Sequence, residues 1–157
     1  MSITSANLLL EKPKYKFTKT AAGMWKEFLY ENGAVFREYR SHRTIGGKPL
    51  VCIANGRNPE TGKMAVAEGI IAIGQRARGW LAIGQFVNGN IAIGQFATGR
   101  IAAVGQFAVA PLAIGQFSVA IAAIAQFGIG GTGIFQMGQT FFGGIGVQIV
   151  DLGRLLS

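Results

Sequence analysis

The chain has 157 residues, of which 50% are hydrophobic, only 14% are charged and 24 are glycine. Fifteen basic and seven acidic residues leave a net charge of +8. Such a composition excludes a charge-rich disordered chain. The lone Cys52 excludes a disulfide framework and a Cys-based zinc site, and the lone His42 argues against a His-ligated metal or a Ser-His-Asp triad.

The charge is segregated. Residues 1–68 hold 11 of the basic and six of the acidic residues, whereas Arg100 is the only charged side chain from Gly79 to Val150. Four segments follow: a basic arm (1–19), a cap (20–68), a long uncharged body (69–150) and a tail (151–157). The start has no basic n-region and only the short apolar run Leu8-Leu9-Leu10, so no signal peptide is expected and a cytoplasmic address is the default.

In the arm, Lys12, Lys14, Lys16 and Lys19 alternate with Pro13, Tyr15 and Phe17. If extended, this segment places three lysines on one side, a pattern open to anionic lipid or nucleic acid as well as to plain solvation. In the cap, Met24, Trp25, Phe28 and Leu29 form an apolar stripe that predicts a short helix over 21–31, stopped by Asn32-Gly33. Strands are predicted over 34–44, 50–54 and 64–67, with turns at Gly46-Gly47 and at 58–62. This small α+β unit reads as the cap that an open stack of strands needs.

The body is a repeat. Gly-Gln recurs at 74, 84, 94, 105 and 115, every ten residues with one eleven-residue step, and a small residue stands at every fifth position from 69 to 130. A helix cannot use this period, because five residues turn about 500° and the glycines would spiral around the axis. Short strands with corners can use it. The prediction is therefore all-β: a β-solenoid of about four coils, roughly 20 residues each, with the odd residue near Ala102-Ala103 forming a bulge. The small residue and the residue two later are expected to point inward. That parity stacks Phe86, Phe107 and Phe127 in one core ladder and Phe96, Phe117 and Met137 in another, and makes Arg76 a charge in a core position. It also predicts two outer glutamine ladders.

The units Gly89-Asn90-Ile91-Ala92-Ile93 and Gly94-Gln95-Phe96-Ala97-Thr98 resemble those of the pentapeptide-repeat proteins and related short-period bacterial β-solenoids, over about residues 69–134. Glycine replaces the usual alanine, and the outward positions are far more apolar than in that family. The lead-in from Glu38-Tyr39-Arg40-Ser41 through Lys48-Pro49-Leu50-Val51 also resembles that of uncharacterised bacterial proteins with Ala-Ile-Gly repeats.

The outer wall loses its polar residues after about 101: Arg78, Asn88 and Thr98 give way to Val109, Val119 and Ile129. Ile101 to Ile124 is also long enough for a membrane-spanning helix. The five-residue period, Pro111, Gln106 and Gln116 favour the solenoid. Past the repeat, Phe135, Phe141 and Phe142 interrupt the pattern, and Leu152, Leu155 and Leu156 follow in the tail. These six residues are the candidate self-association surface.

No paired-carboxylate site, P-loop or metal-ligand cluster is visible, so no catalytic residue, cofactor or metal is predicted. The expectation is a non-catalytic structural protein whose partner is itself, as a homo-oligomer or filament. A solenoid in or on an anionic membrane is the alternative, and a nucleic-acid-binding module using the basic arm is the third.

Overall fold

The computed structural model describes residues 13–140 and 144–148. Among them there is no helix; the fold is all-β. The strands are β1 (Lys16–Lys19), β2 (Gly23–Leu29), β3 (Val35–Ser41), β4 (Thr44–Ile45), β5 (Lys48–Pro49), β6 (Val51–Asn55), β7 (Val66–Val109), β8 (Leu112–Thr140) and β9 (Gly144–Gln148). Seven of them form one sheet in the order β1-β2-β3-β6-β7-β8-β9, with β4 and β5 a separate pair. The sheet changes character along this order. Pairing is antiparallel from β1 to β6 and parallel from β6 to β9.

The helix predicted over 21–31 is a strand instead. β2 lies between β1 and β3, so each side chain of its stripe finds a cross-strand partner. Trp25 pairs with Tyr39, their rings 5.0 Å apart, and Phe28 pairs with Phe36. Asn32-Gly33 closes the β2–β3 hairpin rather than capping a helix. Gly33 has φ of 81°, a left-handed backbone that suits glycine, and the Asn32 amide oxygen accepts the Ala34 N–H at 3.0 Å. Such local turn chemistry, combined with strand pairing on both sides, outweighs a weak helical stripe. The α+β cap is therefore an antiparallel β unit.

Phe36, 2% exposed, is the centre of that unit, with Tyr15, Phe28 and Tyr30 packed around it. Tyr15 and Tyr30 also reach the loop after β6. The Tyr15 hydroxyl donates to Glu60 Oε1 at 2.8 Å, and the Tyr30 hydroxyl donates to the Arg57 carbonyl at 2.9 Å. Lys26 sits 3.7 Å over the Tyr15 ring and 3.7 Å from Glu60.

The repeat steps by ten residues, not twenty. β7 pairs with β8 as Ala102↔Leu112, Gly105↔Gly115 and Phe107↔Phe117. A straight strand as long as β7 would run about 145 Å, with Phe86 and Phe96 roughly 33 Å apart. Their ring centroids are 5.0 Å apart, so the chain turns back within each ten residues. Only the step from β6 to β7 spans twenty, Val51↔Ile71, because the loop over 56–65 is inserted there. The five-residue spacing of small residues thus falls twice in each ten-residue step. The eleven-residue step is absorbed between 99 and 102: a Cβ on Gly99 would meet Ala102, and one on Gly105 would meet Gly94, eleven residues back.

Inward parity also differs from the expectation. The buried residue is the third after each small one, not the second. Ala72, Ala82 and Ala92 are 0% exposed, and Ala77, Val87, Ala97 and Ala108 are buried in the facing row. The alternation shifts by one after each small residue, so that Gly69 and Ala72, or Gly89 and Ala92, are both buried. As far as Ala123 the interior is consequently filled by small side chains, chiefly the methyl groups of alanine. The expected core ladders of Phe86, Phe96, Phe107, Phe117 and Phe127 are instead one outward column, 42–52% exposed. Arg76 belongs to the same outward column and is exposed, so it is not a core charge.

The repeat glycines have ordinary backbone angles. Among the described residues, positive φ occurs only at Gly33, Gly46, Gly47, Gly56 and Gly62, all outside the repeat. What requires glycine at 84, 94, 105 and 115 is close approach, since a Cβ there would run into the carbonyl of the glycine one step earlier.

Candidate interaction surface

Two outward faces result from this register. The first carries the phenylalanine column beside Arg78, Asn88, Thr98, Val109, Val119 and Ile129. The second carries Ile73, Ile83, Ile93, Val104, Ile114, Ile124 and Ile134 beside a column that includes Ile71, Leu81, Ile91 and Leu112. Strand alternation assigns both columns of a face to the same side.

On the first face, five rings form a continuous stack. Successive centroids from Phe86 through Phe96, Phe107 and Phe117 to Phe127 are 5.0, 5.0, 4.9 and 5.3 Å apart, with interplanar angles of 4, 1, 9 and 14°. The strand-to-strand step imposes this spacing, and aromatic pairs contribute roughly 0.5–1.5 kcal/mol beyond area burial. Stacked face to face at this step, the rings make an unbroken column of large side chains.

The second face is aliphatic throughout. Leu112, Ile114, Ile124 and Ile134 are each more than half exposed. A shallow groove between them is lined by Leu112, Ile114, Ala122, Ile124, Gly133 and Ile134. Trp80, Ile101 and Ile121 are exposed along one edge. Along the other edge the glutamines form one column, not two, because the step is ten residues. Gln106, Gln116 and Gln126 flank Val104, Ile114 and Ile124. Among the described residues no hydrogen bond joins stacked glutamine amides, and Gln75 Oε1 is buried without a partner.

Of the six residues expected to mediate self-association, Phe135 is corrected. It is 4% exposed and fills the interior at the end of the repeat. A Cβ on Gly128 or Gly133 would overlap its ring, so glycine at those two inward positions makes the space the ring occupies. Phe141, Phe142, Leu152, Leu155 and Leu156 lie outside the described residues, as does Lys12.

Lys14, Lys16 and Lys19 are exposed, the last two on the edge strand β1. Much of the remaining basic charge is paired. Arg37 meets Glu27 at 3.1 Å, Arg40 meets Glu38 at 2.7 Å, and Arg78 meets Glu68 at 3.7 Å across one repeat step. The hydrogen bond to Glu38 holds the Arg40 guanidinium above its ordinary pKa.

Reactive groups are dispersed among the described residues. Cys52 is buried, and burial pushes its thiol pKa up, away from the thiolate form. His42 Nε2 lies 3.3 Å from the Thr20 carbonyl, and Ser41 Oγ donates to the Arg43 carbonyl. No group of three or more His, Cys, Asp or Glu that would hold a metal occurs among the described residues. Comparison with protein-family models, curated proteins and solved structures finds no match to this chain.

Sequence reasoning missed the tyrosine contacts to the loop over 56–65. The signal was present in the length of that loop: ten residues, one whole repeat step, inserted where the parallel stack begins.

Proposed function

We propose that the repeat is a narrow β-solenoid with ten residues per coil, and that the protein is a non-catalytic structural component that self-associates through the solenoid's apolar outer wall. Filaments or another ordered assembly are the products this reading expects. One observation carries it. From Ile101 onward both faces expose large apolar side chains, Ile114 and Ile124 on one and Phe117 and Phe127 on the other. The sequence has no charged residue between Arg100 and Asp151 to interrupt them. The largest apolar patch on an ordinary monomer is about 300–600 Å². Two such faces on the same repeats exceed what a soluble monomer normally tolerates.

Sedimentation velocity and electron microscopy of the detergent-free protein test this reading. Oligomers or filaments are expected, and a monomer persisting at high concentration overturns it. A second reading, a solenoid seated in a membrane, is favoured by the exposed lysines of β1 at the opposite end from this wall. Flotation with anionic liposomes separates the two, since only the second expects the protein to travel with lipid.

A further inference from the structure

The geometry points to the phenylalanine face as the contact between copies, with the same face of a second copy as its occupant. This inference rests on the self-association reading above and assigns it a surface. Three features of the face support a second copy over any other partner.

The first is its period. The rings repeat every 4.9–5.3 Å, which is the step of stacked parallel strands. A surface that meets every ring in the same way must share that step, and another copy of this chain does. Bilayer lipid has no such repeat.

The second is shape. The ring column is continuous, and the column two residues on (Asn88, Thr98, Val109, Val119 and Ile129) carries smaller side chains throughout. Both columns belong to the same face, so two identical faces can set each ring column against the other's smaller side chains. This is the self-complementarity that a two-fold interface requires. The aliphatic face also carries a continuous column, from Ile73 to Ile134, but of branched aliphatic side chains without stacked rings.

The third is extent. The exposed parts of the five rings with Val109, Val119, Ile129 and Met137 come to roughly 700–800 Å² per copy. A standard specific interface takes about 800 Å² from each partner. At the head end the ladder stops at Arg76, beside the Arg78–Glu68 pair. Charges at that limit block continuation of the contact and oppose slippage of one copy along the other.

The test compares two double variants by sedimentation velocity without detergent. Phe107→Lys/Phe117→Lys is expected to weaken association by at least on the order of 100-fold. Ile114→Lys/Ile124→Lys, on the opposite face, is expected to leave it unchanged. Assembly of the phenylalanine variant at the wild-type level, with β-rich circular dichroism retained, overturns the assignment while the self-association reading stands. A wild-type protein that stays monomeric overturns both. If the lysines prevent folding, Phe117→Trp decides: its emission shifts to shorter wavelength on assembly if the face is covered, and an unchanged spectrum overturns the proposal. Lipid flotation lost specifically in the phenylalanine variant, from a protein that is monomeric without lipid, also overturns the second copy as occupant.

Discussion

The head and the repeat solve the same problem, building a sheet, by different means. The head, residues 13–65, relies on specific polar contacts: tyrosine hydroxyls on the 56–65 loop, the Arg37–Glu27 ion pair across β2 and β3, and glycines with positive φ at its turns. Between residues 69 and 136 no side-chain hydrogen bond occurs among the described residues. There the backbone ladder, buried methyl groups and the outer ring stack hold the chain. A repeat of this kind tolerates change outside and almost none inside, whereas the head distributes its stability over many small contacts.

The contrast is sharpest for added volume. Gly94→Val puts a branched side chain against the Gly84 carbonyl and against Val87, neither of which can withdraw. Loss of roughly 4 kcal/mol or more is expected, enough to unfold the repeat, as seen by circular dichroism and urea titration. Gly33→Ala in the head meets nothing within 4 Å and suffers only from its φ of +81°. Its cost should be about 1 kcal/mol. Equal effects of the two would remove the distinction between regions.

Next in size is the interior against the ladder. Ala92→Leu adds three carbons to a site that is fully buried and should cost roughly 1–3 kcal/mol or more. Phe96→Ala removes a ring that is 44% exposed, so about 1–1.5 kcal/mol is expected from lost stacking and partial burial. A core phenylalanine would instead cost 3–5 kcal/mol. Denaturant midpoints of the two variants distinguish an outward ladder from the inward one that the five-residue period first suggests.

That reversal marks how far the sequence could be read. The all-β class, the Gly-Gln period, the eleven-residue step and the apolar drift after 101 were all legible, because each is a pattern along one dimension. Step length and parity were not. A small residue at every fifth position fits a pairing step of twenty residues as well as one of ten, and the choice depends on whether the buried side must hold rings or methyl groups. Alanine at 72, 82 and 92 is the deciding row, and it looks unremarkable beside conspicuous phenylalanines. In the head, Met24, Trp25, Phe28 and Leu29 fit a helical stripe, and only pairing with β1 and β3 reveals the strand. As for the interaction surface, the apolar wall was legible, while its division into a ring face and an aliphatic face follows from the parity.

A smaller, pH-dependent effect should separate the regions again. Burial raises the Cys52 thiol above its ordinary 9.0, and burial together with the hydrogen bond to Glu60 raises the Tyr15 hydroxyl above its ordinary 10.0. In both, the folded chain keeps a proton that the unfolded chain releases. Their contribution is therefore complete below about pH 9 and declines as pH rises through and beyond the ordinary values. Thermal unfolding of the head, followed through Trp25 in a Trp80→Phe background, should shift to lower temperature above about pH 9. The repeat beyond residue 69 contains no Cys, Tyr, Lys or His. Its β-sheet signal should hardly respond, and a thiol reagent should reach Cys52 only on unfolding.

The smallest expected effect concerns the inserted loop. Glu60 accepts the Tyr15 hydroxyl and faces Lys26, which itself covers the Tyr15 ring. All three groups are partly solvated, so Glu60→Gln should cost only about 0–1 kcal/mol, screened further by salt. Tyr15→Phe keeps the ring against Phe28 and Phe36 while removing the hydroxyl, and should cost about 1 kcal/mol. Both substitutions weaken the same contact, Tyr15→Phe by removing the donor and Glu60→Gln by removing the acceptor's charge, so the double variant should lose less than the sum of the singles. Hydrogen exchange of the amides of Gly62 and Ala65, bonded to Asn58 and Gly56, reads the loop directly. Strict additivity, with no faster exchange in either single variant, would mean that the loop is held by its own turn rather than by the head. The ten inserted residues would then be a passive spacer at the base of the stack.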